Sequence, residues 1–306
     1  MKVRVWKLAG AVALSLLLSS CGSSSGTASR SGGGGAPALT NVVVVVLENQ
    51  DFTNIIGNPN MPFLNGLANS NALATQYFSN THPSIGNYFM LTTGQIITND
   101  DAFTDTVSAD NIARELTNAG KSWKVYAESL PSTGYTGGDV FPYLKHHNPF
   151  AYFTDVVGTS QAQNIVPFSQ LSGDVDSSSL PNFALVVPNA QNDMHDCPAG
   201  FATCTLADKA TNTDHWLQTN LAPLINSSTF KANGVLVITF DESETDNTNG
   251  GGRVATILLG SHVRSGFTSS TTFQHQSVLR LALDSLGVTT LPGASAAAAS
   301  MNEFLQ

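Results

Sequence analysis

"NVVVVVLEN", residues 41–49, decides the fold. Its valines fill successive positions rather than alternate ones, so a strand built from them must bury both faces. Such a strand lies inside a sheet that has helices above and below it. Working outward, "PNFALVVPN" (181–189), "GVLVITFDE" (234–242) and "RVATILLGS" (253–261) are further short apolar runs. Segments of helical character lie between them. "MPFLNGLANS" (61–70) carries Pro62 where a first helical turn accepts it. "ADNIARELTNAGKSWKVYAE" (109–128) has Asp110 near a cap and Gly120 as a stop, followed by a strand. "DHWLQTNLAPLI" (214–225) is amphipathic, with Asp214 as its start and Trp216 as a packing residue. "TFQHQSVLRLALDSLG" (272–287) closes at Gly287. Strands alternating with helices predict an α/β fold with a mainly parallel central sheet and helices on both faces, in one domain over residues 41–306. The tail "ASAAAASMNEFLQ" (294–306) is expected to be peripheral.

Composition supports a sizeable globular core. Hydrophobic residues make up 42% of the 306 and charged ones 11%, which argues against wholesale disorder. A net charge of -9 without long acidic runs makes nucleic acid a poor partner. The beginning, "MKVRVWKLAGAVALSLLLSSC", places Lys2, Arg4 and Lys7 before an apolar stretch too short for a comfortable membrane span. It is expected to be a lipoprotein signal (1–20) that leaves Cys21 as the lipidated N-terminus. The Gly/Ser-rich residues 21–40 then form a tether. The protein is therefore expected in the cell envelope, touching the membrane only through its anchor. Outside the cytoplasm, Cys197 and Cys204 are expected to pair across "CPAGFATC".

In a sheet of this kind, ligands bind beyond the carboxyl ends of the strands. The residues after the apolar runs are acidic: Glu48-Asn49, then Asp193, His195 and Asp196 in "AQNDMHD", then Asp241-Glu242. Oxygen-rich ligands with few histidines suit a hard or borderline divalent cation. "NTHPSIGNYFMLTTG" (80–94) changes from a polar loop to an apolar run at Pro83-Ser84, where a helix is expected to begin. A serine there serves as a helix cap or as a nucleophile facing an anion, and the segment alone allows either. "ETDNTNGGGRVA" (244–255) reads equally as a flap near Asp241 or as an ordinary surface loop. Asp196 either orients His195 or caps a turn.

Five segments in order carry a resemblance: "LENQDFTNIIG", "THPSIGNYFMLTTG", "VPNAQNDMHD", "ITFDE" and "TFQHQSVLRLAL". The chain resembles the bacterial phosphoesterase family that contains acid phosphatases and phosphatidylcholine-type phospholipases C, within the alkaline-phosphatase-like superfamily. The resemblance spans roughly Asn41 to Gly287. It implies one divalent metal ion held by Glu48, Asn49, Ser84, Asp241 and Glu242, with Ser84 as nucleophile. It implies that His195 and His275 contact the phosphoryl group and that either could protonate the leaving alkoxide. Asn87, His82 and His147 are implied substrate contacts, His147 being preferred over His146. The implied activity is hydrolysis of a phosphomonoester through a phosphoserine. Rival readings are a phospholipase C or other phosphodiesterase, a phosphoinositide phosphatase, and a binding lipoprotein with a dead site. The "ENQDFTNIIG" form of the first segment, and the lack of a long C-terminal extension, favour the monoesterase.

Overall fold

The computed structural model describes residues 39–306. The signal segment, Cys21 and nearly all of the tether lie outside the described residues. All seven residues of β1 (Asn41–Leu47) are buried, as an unbroken apolar run requires. β1 pairs in parallel with β6 (Phe183–Val187) on one side and with β7 (Gly234–Phe240) on the other. The eight-stranded sheet runs β5 (Ile165–Pro167), β4 (Trp123–Ala127), β6, β1, β7, β8 (Thr256–Gly260), β2 (Ala72–Ala74), β9 (Phe267–Ser269). β3 (Tyr77–Phe78) and β10 (Phe273–Gln274) form a separate parallel pair.

The sheet is mixed, though mainly parallel. β8 alone opposes its neighbours, lying antiparallel to both β7 and β2. A parallel partner for β7 would need a crossover, usually helical. Residues 241–255 contain no helix, so the chain turns back beside β7 instead.

Two groups of helices cover the sheet. α3 (Ser84–Thr93), α4 (Ile112–Asn118) and α8 (His275–Ser285) pack on one another, while α2 (Pro62–Ser70), α5 (Gln170–Asp176), α6 (Leu206–Asn226) and α7 (Ser228–Asn233) form the other group. The one-turn α1 (Phe52–Ile55) follows β1. α4 begins one residue later than the Asp110 cap implied. Asn111 is its N-cap and accepts from Arg114 N, while Asp110 accepts from Asn111 N.

Asp214 does not start a helix. It lies inside α6, which opens instead at a Thr205–Asp208 capping box. The Asp214 carboxylate accepts from Phe63 N (2.9 Å) and Leu64 N (2.8 Å), the first turn of α2. α2 has no side-chain cap of its own, so Asp214 supplies across the layer what is worth about 1 kcal/mol for a local cap. Trp216 packs against Phe168 and donates from Nε1 to Glu128.

The C-terminal tail is more than peripheral. Met301 and Phe304 are fully buried, and the Phe304 ring lies 5.6 Å from Phe267 and 5.5 Å from Phe273. Its alanines disguise an apolar anchor. Cys197 and Cys204 form a disulfide. Among the described residues, no helix is long and apolar enough to cross a membrane.

Candidate active site

Sheet register brings two of the acidic strand ends together. Leu47 stands opposite Phe240, so Glu48 and Asp241 leave the sheet side by side, tied by Asp241 N donating to Leu47 O at 2.9 Å. Gln50 N donates to Glu242 O, and Glu48 N donates to Asp193 O from the chain leaving β6. Three parallel strands therefore deliver Asp193, Glu48 and Asp241 to one place. Asn49 turns the chain with φ 41°, a left-handed conformation that asparagine tolerates better than most residues.

α3 brings the serine. All ten residues of this helix are buried, and its polar side chains are accounted for internally or at the site. Thr92 and Thr93 bond back to the preceding turn. Pro83, not Ser84, is the N-cap, and Ser84 is the first helical residue. Its hydroxyl caps nothing. It donates to Glu48 Oε2 at 3.1 Å and faces the Asn49 amide oxygen at 3.5 Å. The cap reading is thereby replaced by contact with the acidic cluster. The strand-to-helix link is braced by glycines: a Cβ on Gly251 would lie 2.5 Å from Thr81 O, and one on Gly250 2.1 Å from Asn80 O. The Gly250–Gly251 end of the 244–255 loop thus packs on the segment that leads into Ser84.

Glu48 is the hub. It is fully buried, and its second oxygen, Oε1, accepts from the Tyr88 hydroxyl and faces His147 Nε2 at 3.4 Å. His147 Nδ1 in turn lies 3.5 Å from Asp193 Oδ2, and its ring stacks on Tyr88 with centroids 5.1 Å apart. Burial, then the charges of Asp241 and Asp193, push the Glu48 carboxyl well above its ordinary value. Burial raises Asp193 and Asp241 as well, and burial with the charges of Asp241 and Asp101 raises Glu242. Burial, followed by the neighbouring His146 and His195, pushes His147 down. Both shifts act against a charged Glu48–His147 pair, despite their 3.4 Å approach.

Four buried carboxyls held so close call for positive charge. The Asn49 amide oxygen, as placed, faces only acceptors; turning the amide would let its nitrogen donate to Glu48 Oε2 and Asp241 Oδ1, each at 3.0 Å. A cation among these oxygens satisfies the same geometry without the turn. Glu48, His147 and Asp193 also offer one ligand atom each, all within 4.8 Å of one another, a group that could hold a metal ion. The donor set is chemically suited to such an ion.

The remaining predicted residues separate by access. His275 is fully buried; its Nε2 lies 2.6 Å from the Asp241 carbonyl and must carry the proton, leaving Nδ1 to accept from Tyr77 OH at 3.0 Å. Burial depresses its pKa to about 4. With both nitrogens taken, His275 supports Asp241 rather than offering a proton to substrate. Asn87 is likewise committed: it accepts from Asn80 N and Thr81 N and donates to Thr81 O and, at 3.4 Å, to Glu242. His147, buried behind Glu48, has no open face for substrate. His82 is half-buried and meets Glu242 at 2.8 Å through Nδ1. His195 remains accessible, with Nδ1 held by Asp196 at 3.1 Å.

Residues 58–289 match the family described as the phosphoesterase family. The chain belongs to the phosphoesterase family. This phosphoesterase is 33% identical over 278 residues to a phosphatidylinositol-3-phosphatase of Mycobacterium tuberculosis, covering 90% of this chain and 86% of that one. It is 30% identical over 255 residues to a probable acid phosphatase of Kluyveromyces lactis, spanning 79% of this chain but only 57% of the yeast protein. A solved alkaline phosphatase superfamily protein from Vibrio parahaemolyticus shares the fold with a TM-score of 0.60 at 15% identity, covering 84% of this chain and 70% of that one. The phosphoesterase is a hydrolase of phosphoric ester bonds, acid-phosphatase-like in its relatives.

Glu48 and Asn49 precede the matched residues, yet they stand against Ser84. Sequence reading missed Tyr88 and left Asp193 out of the metal set. Tyr88 carried a signal: it sits one helical turn after Ser84, on the same face. Asp193 was visible as an acidic strand end, but its contact with His147 depends on a 3-10 turn at Lys145–His147 that no periodicity announces.

Proposed function

We propose that this phosphoesterase is a metal-dependent phosphomonoesterase that works through a phosphoserine on Ser84. The observation that carries the reading is the Ser84 hydroxyl held against Glu48 and Asn49 at the carboxyl end of the sheet, beside Asp241. Glu48, Asn49, Ser84, Asp241 and Glu242 would hold one divalent cation. When bound, such an ion favours the serine alkoxide and offsets charge on the transferring phosphoryl group.

The chain's own residues do the rest. The Ser84 Oγ–H donates to Glu48 Oε2, which aims the oxygen into the acidic cluster, and its proton is lost to water as the new O–P bond forms. The ester P–O bond breaks, and the leaving alkoxide takes a proton from His195, whose Nδ1 is steadied by Asp196. Water then attacks phosphorus and gives its proton back to His195; the Ser84 Oγ–P bond breaks, phosphate leaves, and the serine oxygen takes a proton from solvent to restore the hydroxyl. The N-terminal end of α3 favours negative charge on the phosphoryl oxygens throughout.

Turnover of a panel of phosphate monoesters and diesters by metal-loaded protein tests this. Monoesters are expected to be cleaved at least about tenfold faster in kcat/KM, or about 1.4 kcal/mol in transition-state binding. Preferential diester cleavage would replace the proposal with a phosphodiesterase. The 33% identical relative adds a narrower candidate, a phosphoinositide monophosphate, so the panel includes vesicles carrying phosphatidylinositol 3-phosphate.

The lipid anchor belongs to the same proposal. Cys21 follows an apolar segment and precedes a Gly/Ser-rich stretch, which supports an envelope lipoprotein whose catalytic domain stands off the membrane. Intact protein should carry acyl mass on Cys21 and sediment with membranes, and Cys21→Ala should release it. Wild-type protein found wholly in the aqueous fraction without acyl mass would contradict the anchor.

A further inference from the structure

The start of α3 has a second occupant. The first N–H groups of a helix lack intrahelical partners, and Pro83 supplies no side chain to them. The Ile85 N–H donates instead to Asp101 Oδ1 at 3.1 Å, from a carboxylate sixteen residues further along. That N–H directly follows Ser84, so a fixed negative charge stands at the helix end where a phosphoryl group would be held. After burial and the charge of Asp241, the charge of Asp101 also raises the Glu242 carboxyl. Asp101 is not on a loose arm. The loop that carries it lies against Gly86, where a Cβ would come within 2.4 Å of Asn99 Oδ1 and 3.1 Å of Thr98 O.

We propose that Asp101 is a specificity-determining residue of the phosphoester site, its carboxylate occupying the helix-terminal anion position beside Ser84 and thereby weakening the hold on phosphate. The proposal rests on the phosphatase reading above. A dianionic product pressed against this carboxylate is repelled, and it leaves more readily than it would from a bare helix terminus. A monoester substrate carries the same kind of charge, so the carboxylate sets how tightly this site holds phosphoryl groups, substrate and product alike.

Asp101→Asn separates charge from structure, because the amide oxygen can still accept from Ile85 N–H. Metal-loaded wild type, Asp101→Asn and Asp101→Ala are compared by inhibition with inorganic phosphate and by calorimetric titration of the same anion. Removing the charge should tighten phosphate binding on the order of three- to tenfold in Asp101→Asn, with KM for a monoester falling in parallel and kcat not rising, since nearby like charges repel and salt weakens the repulsion. Asp101→Ala should bind phosphate at least as tightly as Asp101→Asn. A merely capping Asp101 predicts otherwise: unchanged phosphate affinity and KM in Asp101→Asn, and only a lower Tm in Asp101→Ala. Equal or weaker phosphate binding by Asp101→Asn, in a wild type that turns over phosphate esters, overturns the proposal. Absence of turnover in the wild type marks failure of the parent reading and is seen before any variant is made.

Discussion

Ser84→Ala protein should be folded and almost inert. The hydroxyl is the alcohol of the buried cluster that touches both Glu48 and Asn49. Removing it leaves no phosphoserine pathway, and loss of an activated nucleophile costs on the order of 10⁴-fold or more in turnover. Stability should change little. Ser84 is not the helix cap, so the ~0.5 to 2 kcal/mol loss that follows cap removal does not apply. Glu48 keeps the Tyr88 hydroxyl as a donor when Ser84 Oγ is gone. The check pairs two measurements on the same preparation: steady-state turnover of a chromogenic phosphate monoester, and the thermal unfolding midpoint. Acid-quenched wild type should also show phosphate mass on the peptide containing Ser84. Near-normal turnover by folded Ser84→Ala protein would remove Ser84 from the mechanism.

The uneven legibility of this fold has a physical pattern. β1 and β7 were readable because a strand buried on both faces leaves a continuous apolar run in the sequence. Their registered ends then put Glu48 beside Asp241 with no further information. What stayed hidden depends on contacts between segments with no common period. β8 has the composition of any buried strand, and its reversed direction follows only from a helix-free connection. Asp214 looks like a helix start in sequence because aspartate suits a cap, and it does cap a helix, but a different one. Asp101 and His147 sit on a loop and a 3-10 turn, where burial leaves no repeating trace. The histidines show the same limit most plainly. Sequence assigned His275 and His195 the same task, yet the first is sealed between Tyr77 and the Asp241 carbonyl while the second stands open.

Chelation should disable the enzyme and loosen the fold together, and Asp241→Asn should separate those two effects. Glu48, Asp193 and Asp241 are almost wholly buried, and burial raises the pKa of each. Burying carboxylates without a compensating charge is costly, so the site resists its own ionisation until a cation offsets it. A ligand that binds only the folded state stabilises it by about 2.7 kcal/mol at a hundred times its Kd. For a domain of this size that corresponds to a rise in Tm of roughly 5 to 10 °C, and turnover should return with it. Asp241→Asn retains an oxygen that can accept from Asn49 N, so the local backbone bond survives. It removes one buried charge, however. In chelator the variant should therefore unfold at the same temperature as wild type or above it. With magnesium, manganese, zinc or calcium restored, wild type should rise past it, and only wild type should regain activity. Thermal scans of both proteins with and without each cation, paired with turnover assays, read this crossing directly. If stripped wild type keeps full activity and its Tm ignores all four cations, the acidic cluster is not a cation site. A different source of positive charge would then have to hold Glu48 and Asp241 together.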